Sequence, residues 1–350
     1  MKKSSEILSR IFFATIFFGA IAFSSFGQSD SIRPIHVGLV YPISSNGLSA
    51  ANYTNRFSLH TIAGISKNEM GAAIAGTANI VKQNASGALI AGAVNIVGNN
   101  AKGWQVAGVS NVIKNNANGW QLAGVMNLAG SSHGVQIAGV GNMTAGNAKG
   151  LQVAGVINKS RNTNGQIAGV INIAKNVRGI QLAGLINIAD SSDYPIGLFN
   201  FIKSGEKSIS VTIDETMTGM TSFRSGGKVL YGIVGIGYNL KETNRSLYAA
   251  EAGMGAHIPI RSNLRVNLEA VNLTLSDFKK GTYMKSSLRI LPAYRISDRF
   301  VVFAGPTINY VNYTKESGKG LVDRYLWSKL RQDDFQGLFL GFSGGIQVML

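Results

Sequence analysis

The 350-residue chain has no cysteine. That excludes disulfides, thiol chemistry, cysteine-ligated metal and a lipid-bearing N-terminal cysteine. Charged residues are scarce at 14%, while glycine is abundant at 43 residues. This balance suits neither a helical enzyme nor a disordered tail. Long apolar runs are missing too. Beyond the N-terminal stretch, none approaches the ~20 residues that a membrane helix needs. Acids are the rarer charge, 17 against 33 Lys and Arg, for a formal net charge of +16.

What is present begins with a leader. Lys2, Lys3 and Arg10 precede an apolar stretch, Ile11 to Phe23, followed by the small residues of Ser25-Phe26-Gly27. This pattern predicts a cleaved secretory signal over 1–27, with the mature chain starting near Gln28. An exported chain without a lipid anchor is expected to be soluble outside the inner membrane or to sit in an outer membrane as a barrel. Nucleic acid is then excluded as a partner. The remaining charge of about +14 points to lipopolysaccharide phosphates, acidic glycans or an anion-attracting pore, or to a plainly solvated basic surface.

The centre of the chain is a repeat. Aligned on A-G-x-x-N, it places Asn79, Asn95, Asn111, Asn127, Asn142, Asn158, Asn172 and Asn187 at spacings of 13 to 16 residues, counting a looser ninth copy at Pro195–Asn200. Six residues before each of the last six of these stand Gln105, Gln121, Gln136, Gln152, Gln166 and Gln181. All length variation falls in the Asn-, Ala-, Lys- and Gly-rich linkers, so each unit reads as a rigid extended core plus a tolerant turn. Within Gly103–Ile113, Trp104, Val106, Gly108, Ser110 and Val112 alternate with Gln105, Ala107, Val109, Asn111 and Ile113. A period of two is a strand signature, and the glycine density argues further against helix.

Two β architectures use such a unit. In a membrane barrel each unit is one strand. Eleven residues at ~3.3 Å each, tilted by ~40°, cross ~27 Å, close to the apolar band of an outer-membrane barrel. The Gln and Asn rows would then line the lumen. In a β-solenoid each unit is a coil of two short strands bent at Ala-Gly, and the same rows become stacked ladders. Few aromatics in the repeats favour the solenoid. Unbroken alternation through Ala-Gly favours the barrel.

The flanks favour the barrel as well. Ile35–Ile43 and Arg56–Ser66 alternate ahead of the repeats, and seven longer runs follow them, ending in GLFLGFSGGIQVML. In Ser246–Ile260 one face is apolar and the other holds Glu251 and His257, a candidate lumen pair. Two leading strands, nine repeat strands and seven trailing ones predict an all-β, outer-membrane-type antiparallel barrel of about 18 strands. The alternative is a β-solenoid block followed by a C-terminal sheet or barrel. The expected organisation is 28–70 for the leading strands, 71–203 for the repeats and 204–350 for the trailing strands. The charged segment Thr314–Phe335 carries Leu321, Tyr325, Leu326 and Leu330 near helical spacing. It reads as a surface loop with a short amphipathic helix, or as a loop folded into the lumen.

The units of the form G-x-Q-x-A-G-V-x-N, such as Gly103–Asn111, together with YPISSNGLSA near the start and NIADSSDYPIGLFNFI at the end, resemble a family of bacterial surface-repeat proteins. The resemblance covers roughly Val37 to Ile202. It implies an exported, cell-surface placement and no defined activity. The first two units depart from it, with Ala73 and Leu89 in place of Gln.

Catalytic signatures are not apparent. His36, His60, His133 and His257 are dispersed, without metal-ligand spacing, and no nucleophile elbow or phosphate loop occurs. Gly235-Ile236-Gly237 and Gly253-Met254-Gly255 lie within strand patterns and read as close-packing glycines. Calcium at Asp190, Asp193, Asp333 and Asp334 is conceivable from residue type alone. The expectation is a structural or pore-like protein of the outer membrane or cell surface, with no enzyme activity, no cofactor and no metal. The alternative is a secreted solenoid for adhesion or ligand binding.

Overall fold

A computed structural model describes residues 31–241, 247–278, 282–314, 318, 320–332 and 334–350. The expected signal segment lies outside these residues. From Ile32 onward the chain forms one unit with two β architectures: a parallel solenoid of about ten turns and a closed eight-stranded barrel. The 18-stranded barrel is therefore overturned, and the solenoid alternative describes the repeats.

Each repeat is one coil. In the coil of Asn111, Ala101–Ala107 runs along one face, the chain turns at Gly108-Val109, and Ser110–Ile113 returns along the other. Coils stack in parallel with identical residues in register: Gln105 on Gln121, Asn111 on Asn127 and Trp104 against Trp120. Glycine permits two close approaches. A Cβ on Gly108 or Gly124 would collide with the carbonyl oxygen of the glycine one coil earlier. Gly103 and Gly119 hold φ at 109° and 116°, a region that side chains disfavour. Close stacking of the coils thus requires glycine at both positions.

The solenoid starts earlier than 71. The segments expected as leading barrel strands form its first layers: Ile32–Val40 pairs in parallel with Thr54–His60, which pairs with Asn68–Ala75. Ile43–Ser44 folds back antiparallel on the first strand.

The barrel strands are Lys207–Asp214, Thr218–Gly226, Leu230–Asn239, Tyr248–Arg261, Leu264–Ser276, Thr282–Arg295, Phe300–Thr314 and Asp334–Met349. Each pairs antiparallel with the next, and the last pairs with the first, Ile346 opposite Val211, so no edge is left open. The strand that sequence reading missed is the second. Its outward positions are Gly219, Thr221 and Phe223, and Phe223 packs 6.4 Å from Phe201 of the last coil, so it shows no apolar row. No helix forms between 314 and 335 among the described residues. Trp327–Arg331 is a short strand that pairs with the top of the eighth, extending its edge where the first barrel strand has ended.

Candidate functional site

The fourteen expected Gln and Asn residues are all brought together, but as ladders inside the solenoid and not as a lumen wall. Asn79 to Asn187 are fully buried, and each passes a hydrogen bond to the next: Asn79 Nδ2 to Asn95 Oδ1 at 2.9 Å, Asn111 to Asn127 at 2.9 Å, Asn187 to Asn200 at 2.8 Å. The same amide also donates to backbone carbonyls. Asn127 Nδ2 reaches Ile137 O at 2.8 Å and Gln121 O at 3.4 Å. Asparagine fits because one short amide bonds its own coil and the next, which an acid or a leucine cannot do.

The glutamine ladder is shorter. It runs from Gln121 through Gln136, Gln152 and Gln166 to Gln181 at 2.6 to 3.2 Å. Among the described residues the Gln105 side-chain amide has no partner: Leu89 lies on one side of it, and the Gln121 amide nitrogen on the other side is unpaired as well. The interior changes character at this point. Where the row holds Ala73 and Leu89, the facing residues are Val81, Val97 and Ile113, which form one apolar cluster. Where it holds glutamine, Thr144 donates to Gln136 at 3.0 Å and Ser160 accepts from Gln166 at 3.2 Å.

The first coils contain a polar cluster that sequence reading did not find. His36 takes the place of glutamine in its row, and His60 takes the place of the invariant-register alanine. The rings meet edge to face at 4.4 Å. His36 Nε2 lies 3.0 Å from Ser44 Oγ and its Nδ1 3.3 Å from Asn55 Nδ2, while Glu69 Oε1 accepts from Asn55 at 3.1 Å and Ser58 at 2.8 Å. Among the described residues neither His60 ring nitrogen has a hydrogen-bond partner. Gly64 stands where later coils have asparagine, because a Cβ there would enter the His60 ring. Desolvation, then the neighbouring His60, lowers His36 to about pKa 4; desolvation also lowers His60 and raises Glu69. The only sequence signal was two histidines at inward parity, 24 residues apart.

The barrel interior is charged and full. Arg224 Nε donates to Glu269 Oε1 at 3.0 Å, Arg289 Nη2 to Glu251 Oε2 at 2.9 Å, and Lys285 Nζ to Glu215 Oε1 at 3.0 Å. Tyr231 OH adds a bond to Glu269 at 3.0 Å. His257 and Glu251 both point inward, as expected, yet they do not pair: His257 bonds Asn267 at 2.9 Å and lies 3.6 Å from Glu206. Apolar clusters close both ends. Leu273, Tyr283, Tyr313 and Phe339 fill the end nearer the long loops, where Leu321 of the 314–335 segment is buried and Tyr325 packs on them. Leu291, Val301 and Phe303 fill the other.

The outside is the reverse. In the sixth barrel strand Leu288, Ile290 and Tyr294 are exposed while Lys285, Ser287 and Arg289 are buried. Leu340, Phe342 and Ile346 repeat this on the eighth. Exposed rings gather near the ends, with Tyr238, Tyr248 and Phe278 in contact at one and Tyr294 and Phe300 at the other. Among the described residues no group of three His, Asp or Glu could hold a metal ion. Comparison with family models, curated proteins and solved structures finds no match for this chain.

Proposed function

We propose that this is an outer-membrane protein in which the barrel crosses the bilayer as a filled anchor and carries the solenoid as a structural body. One observation carries the reading: the barrel is inverted, with charged and polar side chains inside and apolar ones outside. In water that arrangement would leave a wide apolar belt exposed; in lipid it is the stable one. A 14-residue strand such as Thr282–Arg295, at ~3.3 Å per residue and ~40° tilt, spans ~35 Å, enough for the hydrocarbon core. No helix among the described residues is long and apolar enough to cross a membrane.

A structural role is favoured over a pore because ion pairs and aromatic rings occupy the interior along its length. Orientation follows from the connections. The connections 227–229, 262–263 and 296–299 lie at the end where the solenoid joins and are all short, while 215–217, 240–247, 277–281 and the longest, 315–333, join strands at the other. Outer-membrane barrels keep short turns on the periplasmic side, which would put the junction between solenoid and barrel on that side.

The test is fractionation of the full chain with a gel run before and after boiling, then planar-bilayer conductance. Retention with outer membranes through carbonate washing, faster migration unboiled and no steady conductance are expected. Release by carbonate without a heat shift would remove the anchor reading. Steady channel conductance would replace it with a pore.

A further inference from the structure

The solenoid carries much of its bulky apolar surface outside as well. Its inner rows are mostly Asn, Gln, Ala, Ser and Thr, joined by the apolar clusters of Val81, Leu89, Val97 and Ile113 and of Val177 and Ile202, while its outer rows are largely branched and aromatic. The row through Val106 continues as Ile90, Leu122 and Leu182; the one through Val112 as Ile80, Ile96 and Ile188, with Lys159 as its one charged member, long enough to carry its ammonium out to the headgroups. Between them, along the Ala-Gly-Val edge, run Val109, Val125, Val140 and Val156, all exposed. About ten coils at ~4.8 Å make these rows ~48 Å long. The apolar surface they form, of order 1,000 Å², exceeds the largest patch of an ordinary soluble protein.

The opposite edge is polar and of one sign. Its turns carry an exposed asparagine ladder, Asn115 to Asn99 at 2.7 Å and Asn176 to Asn162 at 2.8 Å. Along it stand Lys82, Lys102, Lys114, Lys149, Lys175 and Arg178, all exposed. The exposed acids of the solenoid, Asp190 and Asp193, are confined to its barrel end.

The apolar surface does not stop at the barrel. Phe201, on the row of Val112, packs against the outward Phe223. On the other face, Pro195 and Ile196 border a groove of about 750 Å³ whose far wall is the outer surface of the barrel at Leu230, Met254, Leu268 and Ile290. The backbone is also suited to a dry surface. Coils satisfy one another's amides, and the terminal asparagine is capped by Ser225 of the barrel.

Resting on the barrel reading above, we infer that the solenoid is seated in the same lipid layer, with its Ala-Gly-Val edge and flanking faces against acyl chains and its Asn/Lys edge against anionic lipid phosphates. Lipid fits better than a folded partner. The rows are continuous with the surface assigned to lipid, they repeat mainly aliphatic side chains from coil to coil, and the positive edge runs alongside them. The groove between coil and barrel is where acyl chains would pack.

Trp104 and Trp120 lie on the outer row and report directly. The full chain carrying Trp327→Phe is refolded into phosphatidylcholine–phosphatidylglycerol vesicles, with and without bromine on the acyl chains. A second variant, Trp104→Phe, Trp120→Phe, Trp327→Phe and Val211→Trp, reports the barrel wall. Both variants are expected to be quenched roughly two-fold or more by brominated chains, the depth of an interfacially seated surface. Replacing Lys82, Lys114 and Lys149 by Gln should abolish any rise in Trp104/Trp120 quenching with phosphatidylglycerol content. Quenching at position 211 but not at Trp104 and Trp120 overturns the inference and leaves the barrel reading standing, whether water or a second copy covers the row. No quenching at position 211, with no heat shift on gels, removes the barrel reading and the inference with it.

Discussion

Asn200 Nδ2 donates to the backbone carbonyl of Ser225 at 3.2 Å, and the Asn200 backbone N–H donates to the Ser225 hydroxyl at 3.0 Å. The asparagine ladder therefore ends on the second barrel strand and not in solvent. Asn200 is also the acceptor for Asn187 at 2.8 Å. Asn200→Leu should cost about 1–3 kcal/mol, because buried donors and acceptors on both sides lose partners. Ser225→Ala should cost less, about 1 kcal/mol, since the carbonyl remains. Urea unfolding followed by Trp104 and Trp120 emission checks both. The heat shift of the barrel on gels should not change.

Asn127 tests whether the ladder is dry. Its amide points at Ile137 O, Gln121 O and Asn142 Oδ1, three acceptors. Asn127→Asp sets a carboxylate against them in a fully buried place, and at least ~3 kcal/mol should be lost. Asn115→Asp is the control. Asn115 belongs to the exposed ladder on the polar edge, and its change should stay within ~0.5 kcal/mol. Equal effects at the two positions would contradict the interior placement of the Asn127 row.

Acid should loosen the first coils. His36 is held neutral, with its pKa lowered from 6.5 to about 4, mainly by desolvation and then by His60. A lowered histidine pKa means that the unfolded chain binds more protons between those values, so stability falls as pH drops from about 6.5 toward 4. Glu69 is raised by desolvation and acts in the opposite direction, since its protonation favours the folded state at low pH. His36→Gln should flatten the acid dependence, and Glu69→Gln should steepen it. Amide exchange of Thr54–His60 between pH 7 and pH 4 reads both.

The repeat, its strand character and the membership of both ladders are legible in the sequence, because stacking demands the same residue at the same place in each coil. Whether a unit is one strand or a bent coil is not. Gly108 and Val109 are both exposed at the turn, so the chain spends two residues there and parity resumes unchanged at Ser110. Alternation thus reads straight through a bend. The His36–His60 pair depends on the stacking register and has no local signature. In the 314–335 segment, Leu321 and Tyr325 go to the end of the barrel while Leu326 and Leu330 are exposed on or beside an added strand, so a helical spacing arose without a helix. The charged partners Arg224 and Glu269 sit 45 residues apart, and only barrel closure brings them together.

That pair supplies the most demanding test of the filled anchor. Arg224 is fully enclosed, and Glu269 receives its Nε and Nη2 at 3.0 and 3.2 Å together with the Tyr231 hydroxyl. Glu269→Leu leaves a guanidinium buried without its carboxylate, which should cost about 3–5 kcal/mol. Adding Arg224→Met removes the stranded charge, so the double variant should recover much of that loss, as buried ion pairs replaced by apolar groups often do. The urea midpoint of the unboiled gel species measures each step. If the channel were open and wet, water would solvate the lone arginine, the single variant would behave like wild type, and conductance would appear instead.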